Sequence, residues 1–448
     1  MIENNYPRIL IFGLSFNNST GGGITLSNLF KGWPKDKIAV AATGDGLFNV
    51  TTDICNTYYQ LGKEEHKWVF PFNFIQKSYP SGLRLINSEK EVQINSKKGI
   101  RHYLVNKLFY PLLRNIGIYH CVSKFVLLQT LKDWLANYQP EFIYFLVSSR
   151  ESILFALALR YYLQIPAAIH MMDDWPTTIS TKGLFRDYWK KQIEQEFRSL
   201  LDSMTLHLSI STAMAEEYEL RYNKKFIAFH NPIEIKNWLP YRKTKFDINV
   251  EYVKVLYSGR IGIGIKESLF EFARAIDKIN NDTIKIRLHI QSPGIDKDIL
   301  ERLEKYDCVI INPIVEYSNL PKILSHADIL LIANDFDKQG RDFLKFSMPT
   351  KASEYMISGT PILVYSPKES VVSNFFTQNE CGYCIENQSI ESIRSAIYFL
   401  IYDCEFREKI SRNAIRIAKL RFNADDVRKE FRELIFNCYL KSKTSKLN

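Results

Sequence analysis

Short apolar runs alternate with amphipathic segments along nearly the whole chain of 448 residues. Runs such as 8–13, 142–148 and 254–259 have the length of strands, and the segments between such runs have helical periodicity. Continuous apolar strands joined by helices are typical of βαβ units, in which a parallel sheet is buried on both faces. The alternation therefore predicts an α/β fold with doubly wound parallel sheets.

A polar segment divides this alternation into two series. Residues 234–252 carry a proline and lack clear periodicity, which is typical of a domain boundary. We expect a first domain of residues 1–235, a linker of residues 236–252, a second domain of residues 253–422, and a final helix of residues 423–448 with a disordered tail. Ligands of doubly wound domains bind at the carboxyl ends of strands, which predicts a site in the cleft between the two domains.

The composition is that of a globular protein, with 46% hydrophobic and 24% charged residues. No run of about 18 apolar residues occurs, so no membrane-spanning helix is expected, and the first residues lack the pattern of a signal peptide. The seven cysteines are odd in number and show no disulfide spacing, which favours a reducing, cytoplasmic compartment. Cys381 and Cys384 lack the second C-x-x-C pair that zinc sites need, so ordinary thiols are expected.

The formal net charge of +10 is distributed unevenly. Residues 92–132 contain no acidic residue, and their cations are interleaved with leucines and aromatic residues. One interpretation is a contact with an anionic membrane surface; the other is a solvated helical hairpin whose apolar face lies in the core. No nucleic-acid motif accompanies the charge. The basic residues of this stretch are Lys97, Lys98, Arg101, Lys107, Arg114, Lys124 and Lys132.

Two motifs suggest anion binding. Three glycines, Gly21 to Gly23, follow the first strand and precede a helix, so that the backbone can approach an anion at the helix N-terminus; a tight turn is the alternative. In the second motif, Gly259 ends the strand 254–259, Arg260 follows it, and Lys266 lies near a helix start. Cations at this edge of a sheet suit a diphosphate, and the alternative is a pair of surface cations.

A third motif lies at residues 346–367, where Pro349 and Thr350 begin a predicted helix and a glycine ends it. Glu354, within the first two turns, either complements the helix dipole or accepts hydrogen bonds from a ribose diol. Lys351, close to the same N-terminus, would help to hold a phosphate.

Adjacent carboxylates end another apolar strand, at Asp173 and Asp174. Burying a carboxylate beside a strand is unfavourable unless it has a partner, which suggests that the two aspartates line a binding pocket. The alternative for Asp174 is that it caps the following turn. His170 lies within the strand pattern and is expected to be a core residue. Asp335 and Asp337 have the residue type of metal ligands, but a solvated loop is the favoured interpretation.

The motifs together resemble the retaining nucleotide-sugar glycosyltransferases of the GT-B fold, the large family that includes sucrose synthases and many bacterial capsule and lipopolysaccharide enzymes. The resemblance covers nearly all of the chain. It is carried by the five stretches "GGGITLSNL" (21–29), "LSISTAMAEEYELRYNKKFIAFHNPIE" (208–234), "YSGRIG" (257–262), "VEYSNLPKILSHADILLIAND" (315–335) and "KASEYMISGTPILVYSP" (351–367). It implies two Rossmann-like domains that face a cleft, with the acceptor bound by the first domain and the donor by the second. It also implies that the last helix crosses back to the first domain.

The resemblance also assigns residues to the site. It implies that one of the two aspartates takes the proton of the acceptor hydroxyl or bonds to the sugar, with Trp175 as a sugar platform. The catalytic candidates are Asp173, Asp174, Arg260, Lys266 and Glu354. The donor-binding candidates are Gly22, Gly23, Gly259, Arg260, Lys266, Ser347, Thr350, Lys351 and Glu354.

The chain departs from the family pattern at two places. Phe346 occupies the position of the first of the family's two glutamates, as in a subgroup with Ser-x-Pro-x-Lys before the second glutamate, which the residues 347–351 match. Arg260 and Lys266 are one residue further apart than is usual, so Lys266 is the less secure phosphate ligand.

The function implied is transfer of a hexose or similar sugar from a nucleoside diphosphate to an acceptor hydroxyl, with retention and without a metal or other cofactor. The acceptor would be a glycan or lipid-linked glycan of a bacterial capsule, O-antigen or lipopolysaccharide, and the enzyme would be cytoplasmic or peripheral on the inner face of the plasma membrane. The alternatives are an inactive glycosyltransferase-like subunit, which Phe346 supports, and a sugar-nucleotide epimerase. A nucleic-acid binder would rest on net charge alone.

Overall fold

The computed structural model describes residues 6–47, 50–85, 104–280 and 284–444. The chain divides into two compact units, one of residues 1–229 and 428–448 and the other of residues 230–427. The cations Lys97, Lys98 and Arg101, with the rest of 92–103, lie outside the described residues.

The first unit is built on a mainly parallel sheet. Its strands are β1 (Ile9–Phe12), β2 (Ile38–Thr43), β3 (Thr57–Leu61), β4 (His66–Trp68), β5 (Gly82–Leu85), β6 (Ser123–Phe125), β7 (Phe142–Phe145), β8 (Ala167–Met171), β9 (Leu206–Ser209) and β10 (Ile227–Ala228). Eight of them form one sheet in the order β10-β9-β8-β7-β1-β2-β3-β5, in which β5 alone runs antiparallel to its neighbour. The pair β4 and β6 is separate and antiparallel. The strand order reverses between β1 and β7, which is the point where doubly wound sheets bind ligands.

Helices cover this sheet. They are α1 (Gly21–Phe30), α2 (Tyr110–Asn115), α3 (Gln129–Tyr138), α4 (Arg150–Leu163), α5 (Trp175–Thr178), α6 (Arg186–Ser203) and α7 (Thr212–Tyr222). A π-helical turn, Val105–Phe109, leads into α2. The helix α6 shows why the pattern is helical, since Trp189, Ile193, Phe197 and Leu200 recur every three or four residues and are all buried.

The second unit has a fully parallel sheet. Its strands are β11 (Val253–Ser258), β12 (Ile286–Gln291), β13 (Val309–Asn312), β14 (Ile329–Ala333), β15 (Ile362–Tyr365) and β16 (Tyr383–Ile385). They pair in the order β13-β12-β11-β14-β15-β16, which is the strand order of the Rossmann fold. The order reverses between β11 and β14, where Val255 pairs with Ile329. The carboxyl end of β11 is therefore the expected ligand position in this unit.

The helices of the second unit follow the strands in alternation. They are α8 (Ile235–Trp238), α9 (Lys266–Ile279), α10 (Lys297–Leu303), α11 (Leu320–Ser325), α12 (Lys338–Leu344), α13 (Lys351–Ser358), α14 (Val371–Gln378), α15 (Ile390–Tyr402) and α16 (Cys404–Arg421). The last helix, α17 (Ala424–Thr444), begins here and continues into residues 428–448 of the first unit. There the Arg428 side chain donates to the Asn28 carbonyl over 2.6 Å.

The polar segment before β11 is hydrogen-bonded to other residues of the second unit. Lys243 Nζ donates to the Ala327 carbonyl over 2.8 Å, and the Phe246 carbonyl accepts from Arg407 Nε over 3.1 Å. These contacts explain how a stretch without helical or strand periodicity adopts a definite path, because a side chain and a backbone carbonyl of the segment are both hydrogen-bonded to the second unit.

Two further expectations concern the membrane and the thiols. Within the described ranges, no helix is long and apolar enough to cross a bilayer. Cys381 and Cys384 are free thiols, and burial raises their pKa to about 12 and about 11, respectively. Thiols with raised pKa values are poor nucleophiles, so both behave as small apolar side chains.

Candidate functional site

The carboxyl end of β11 is joined to the first turns of α13 by Tyr355, and Tyr257 fixes the turn that follows the strand. The Tyr355 hydroxyl accepts from the Ser258 N–H over 2.7 Å and donates to the Ser258 carbonyl over 3.2 Å. The Tyr257 hydroxyl donates to the carbonyl of Arg260 over 2.6 Å. Because both hydroxyls bind backbone, the turn after β11 is held in one position against α13.

Lys351 is the central residue of this cluster. Its Nζ lies 3.5 Å from the centroid of the Tyr257 ring, is buried, and has no hydrogen-bond partner among the described residues. Gly259 has φ of +148°, and a Cβ built there would lie 3.3 Å from the same Nζ, so the glycine leaves room for the amine. Burial lowers the pKa of the Lys351 amine well below its ordinary value. A buried amine without an anion is costly, and such groups cluster at functional sites.

Glu354 lies one turn further along α13, on the same face as Lys351. It is buried, and its Oε1 accepts from the Tyr317 hydroxyl over 2.9 Å. Burial raises the pKa of the Glu354 carboxyl to about 7, and the Tyr317 hydrogen bond and the Lys351 charge oppose this rise. A buried amine and a buried carboxyl group therefore lie on one face of α13, next to the carboxyl end of β11, where the strand order reverses.

The chain that enters the second unit holds the N-terminus of α13. His230 Nε2 lies 3.2 Å from the Pro349 carbonyl oxygen, and Asn231 Nδ2 donates to the Thr350 carbonyl over 3.4 Å. The Ser353 hydroxyl donates to the Asn231 carbonyl over 3.2 Å. Burial lowers the pKa of His230 to about 4, so this histidine is neutral at pH 7. These contacts give His230 and Asn231 a structural role, because both residues hold the start of α13 in place.

The remaining donor-site candidates lie around this cluster. Ser347 is buried, and its N–H donates to the Leu344 carbonyl over 3.1 Å in the turn before α13, where Thr350 is the N-cap residue. The Arg260 side chain is exposed just after β11. Lys266 is the first residue of α9, is half-exposed, and has its Nζ 3.7 Å from Glu267 Oε1.

Asp335 corrects an expectation. We predicted a solvated loop, but Asp335 is buried, and its Oδ1 accepts from the Ser268 N–H over 2.7 Å in the first turn of α9. Burial raises its pKa to about 6. Asp337 caps α12 by accepting from the Gly340 N–H over 2.6 Å. Both carboxylates therefore hold helix N-termini, and the described part of the chain contains no cluster of three side chains suited to a metal.

The first unit contains the other candidates. Asp174 is buried, and its Oδ1 accepts from the Tyr218 hydroxyl over 2.8 Å and from Arg221 Nη1 over 2.9 Å. Its Oδ2 accepts from Arg221 Nη2 over 3.3 Å. Both carboxylate oxygens are thus engaged by α7, so the structure shows neither a pocket-lining position nor a turn cap for Asp174. Asp173 is the exposed member of the pair.

Two neighbours of these aspartates also have structural roles. Trp175, expected as a sugar platform, is buried with its ring 5.6 Å from that of Phe197. His170 is a core residue, as predicted, with its Nδ1 2.5 Å from the Tyr144 hydroxyl.

The three glycines are the first residues of α1, not residues ahead of the helix as predicted, and Gly22 lies beside the end of β8. A Cβ at Gly22 would lie 3.2 Å from Met172 Sδ, and a Cβ at Gly23 would lie 2.1 Å from Asn17 Nδ2. The side-chain Oδ1 of Asn17 accepts from the Thr20 N–H over 2.8 Å, and Thr20 in turn caps α1. Packing against Asn17 therefore requires Gly23, whereas a Cβ at Gly22 would meet only the ends of flexible side chains. The structure brings the two motifs of the first unit together at the carboxyl edge of its sheet.

Tyr257 and Tyr317 are site residues that sequence reasoning missed. Both lie in stretches that carry the family resemblance, but tyrosine in a strand or a loop is normally a packing residue. The only available signal was their place at the end of β11 and just before α11, close to the carboxyl edge of the sheet.

Comparisons with known proteins agree with this architecture. Residues 253–403 match the model of a family described as glycosyl transferases group 1. HepE from Anabaena, solved with UDP and glucose, is 12% identical over 96% of this chain and 100% of its own, with a TM-score of 0.61. Sucrose-phosphate synthase from Thermosynechococcus elongatus is 12% identical over 97% and 99%, with a TM-score of 0.61. WaaG, a glycosyltransferase involved in lipopolysaccharide biosynthesis, is 10% identical over 95% and 99%, with a TM-score of 0.57. No curated protein matches the chain.

These findings define the class of protein. The chain has the GT-B fold, with two Rossmann-like units, as the sequence predicted. More particularly, its residues 253–403, which contain the Lys351–Glu354 cluster, are similar to the family described as glycosyl transferases group 1.

Proposed function

We propose that this protein is a glycosyltransferase that moves a sugar from a nucleoside diphosphate to an acceptor hydroxyl. The observation that carries the proposal is Lys351, a buried amine for which no described residue is an acceptor, beside Glu354 in the region that matches the group 1 family model. A diphosphate would supply the missing anion. UDP is the first nucleotide to test, because HepE of the same fold was solved with UDP-glucose.

The roles of the residues follow from their chemistry. Lys351 would bind the diphosphate, since an anion beside it favours the charged amine. The exposed Arg260 would add a second cation, and the half-exposed Lys266 is already close to Glu267. Glu354 would accept hydrogen bonds from the ribose hydroxyls as a carboxylate. Stabilising the departing diphosphate by fixed charges needs neither a metal nor another cofactor in this proposal.

The finer features of the reaction belong to the same proposal. Retention of configuration is supported by the family resemblance. The exposed Asp173, which follows the Met172 that lies against Gly22, is the candidate for contact with the acceptor or the transferred sugar. A role in bacterial surface polysaccharide synthesis is supported by the likeness to WaaG. The acceptor would then be a glycan or a lipid-linked glycan, used by an enzyme at the cytoplasmic face of the plasma membrane.

The test is release of nucleoside diphosphate from UDP-, GDP- and ADP-sugars by the purified chain. We expect slow release with one nucleotide, loss of this release in Lys351→Met, and an α-configured product by NMR if an α-linked donor is used. Binding without release would favour the inactive-subunit alternative. The observation behind that alternative is Phe346, whose ring lies 4.9 Å from Lys345 Nζ at the position of the family glutamate.

A further inference from the structure

An apolar stripe faces solvent on the first unit. Leu104, Leu108, Leu112 and Ile116 recur every four residues along the helical segment that includes Val105–Phe109 and α2. Their exposed fractions are 46%, 61%, 57% and 41%. A surface helix normally turns its apolar stripe towards the core. This stripe is an exception, and an exposed apolar surface of this kind indicates a binding surface.

Two neighbouring segments extend the stripe into a surface. The ring of Phe109 stacks on Trp68 at 6.0 Å, which brings the loop after β4 alongside. On the other side, the Leu184 N–H donates to the Asn115 carbonyl over 2.8 Å. Each segment adds exposed apolar side chains, and we define the apolar face as Phe70, Phe74, Leu104, Leu108, Leu112, Ile116, Leu184 and Phe185.

The charges around the apolar face indicate what covers it. The segments 66–77, 104–118 and 182–188 contain a single acidic residue, Asp187, which lies 3.5 Å from Arg186. Their other cations are Lys67, Lys77, Lys107, Arg114 and Lys182. Apolar and aromatic side chains fringed by cations are the composition of surfaces that lie in an anionic membrane interface. A second copy of the chain would bring like charges together, which is unfavourable.

We propose that the apolar face binds the headgroup region of an anionic lipid bilayer. This contact extends the one predicted from the basic stretch 92–132, which contains Leu104 to Ile116, by adding the exposed apolar side chains of two further segments. The proposal rests on the first unit alone and stands whether or not the second unit binds a nucleotide.

Vesicle flotation tests the proposal. The full chain is mixed with vesicles of phosphatidylcholine and phosphatidylglycerol, or of phosphatidylcholine alone. We expect binding to the anionic vesicles, weakened by high salt, and a fall of about tenfold or more in the partition coefficient of the double variant Leu108→Ser/Leu112→Ser. The matched control is Leu220→Ser on α7 of the same unit, where the leucine is 85% exposed but lies outside the apolar face. The control should bind as the wild type does.

Several outcomes would overturn the proposal. These are failure of the wild type to float with anionic vesicles, equal flotation of the double variant, or an equal loss in Leu220→Ser. A concentration-dependent dimer that the double variant abolishes, without vesicle binding, would assign the face to a second copy instead. Melting temperatures confirm that the variants fold, and calorimetric titration with UDP shows separately whether the donor site exists.

Discussion

The Nζ of Lys351 lies 3.5 Å from the centroid of the Tyr257 ring, and no described residue accepts a hydrogen bond from it. The ring face offers the amine a weak electrostatic partner, which does not replace the hydration lost on burial. The ligand-free second unit therefore contains an unfavourable arrangement that a bound diphosphate would relieve.

Replacing this lysine by an apolar residue should not weaken the ligand-free fold. Lys351→Met keeps most of the side-chain volume and removes the buried amine, so we expect a free energy of unfolding equal to or greater than that of the wild type. Urea unfolding measures it, with Lys322→Met on the exposed face of α11 as the control. A loss of more than about 2 kcal/mol would show that the amine stabilises the fold, contrary to this account.

Tyr317 should control the affinity for nucleotide through Glu354. Its hydrogen bond lowers the carboxyl pKa, so Tyr317→Phe raises that pKa further and protonates the group that must accept from ribose. We expect roughly tenfold weaker nucleotide binding at pH 7, and a smaller deficit at pH 8.5, where the carboxylate forms again. Calorimetric titration at both pH values measures this effect. Tyr241→Phe, at an exposed position, is the control, and a deficit independent of pH would refute the mechanism.

Glu354 should also make stability depend on pH. Because burial raises its pKa from 4.5 to about 7, the folded state holds the proton more tightly than the unfolded state. The free energy of unfolding should therefore fall as the pH rises from 4.5 to 7, by an amount on the order of 2 kcal/mol. Glu354→Gln should flatten this fall, since an amide does not titrate. Urea unfolding at pH 5 and 8 tests it against the exposed Glu304→Gln, and an unchanged slope would contradict the assignment.

The two aspartates after β8 should have separable effects. Asp174→Asn weakens the buried pair with Arg221 and should cost about 3 kcal/mol of stability. Asp173→Asn should cost less than about 1 kcal/mol, because the side chain is exposed, and should lower the turnover rate through its contact with the acceptor or the sugar. Urea unfolding and initial rates distinguish the two. Equal destabilisation by both substitutions would show that our division of roles is wrong.

The architecture was predictable because its signals are local. Apolar runs of four to six residues, such as β1 and β11, indicate a sheet that is covered on both faces. Ser211 indicates the start of α7, because its side chain caps the helix. Lys351 and Glu354 were also predictable as a pair, since a spacing of three on a helix places them on one face.

The contacts that decide the roles of single residues were not predictable. Arg221 reaches Asp174 across 47 residues of sequence, and Tyr317 reaches Glu354 across 37. Such contacts depend on how helices pack on the sheet, which periodicity does not report. Asp335 shows the same limit, because its position after β14 resembles a polar loop until the first turn of α9 is placed against it.

The most direct test of the donor site is calorimetric titration of the wild type, Lys351→Met and Lys322→Met with UDP, GDP and ADP. The account predicts that one nucleotide binds to the wild type and to Lys322→Met, and that its affinity falls at least about tenfold in Lys351→Met, because the diphosphate loses its buried cation. Binding of equal strength to Lys351→Met, or no binding of any nucleotide to the wild type, would contradict the assignment of this cluster as a nucleoside diphosphate site.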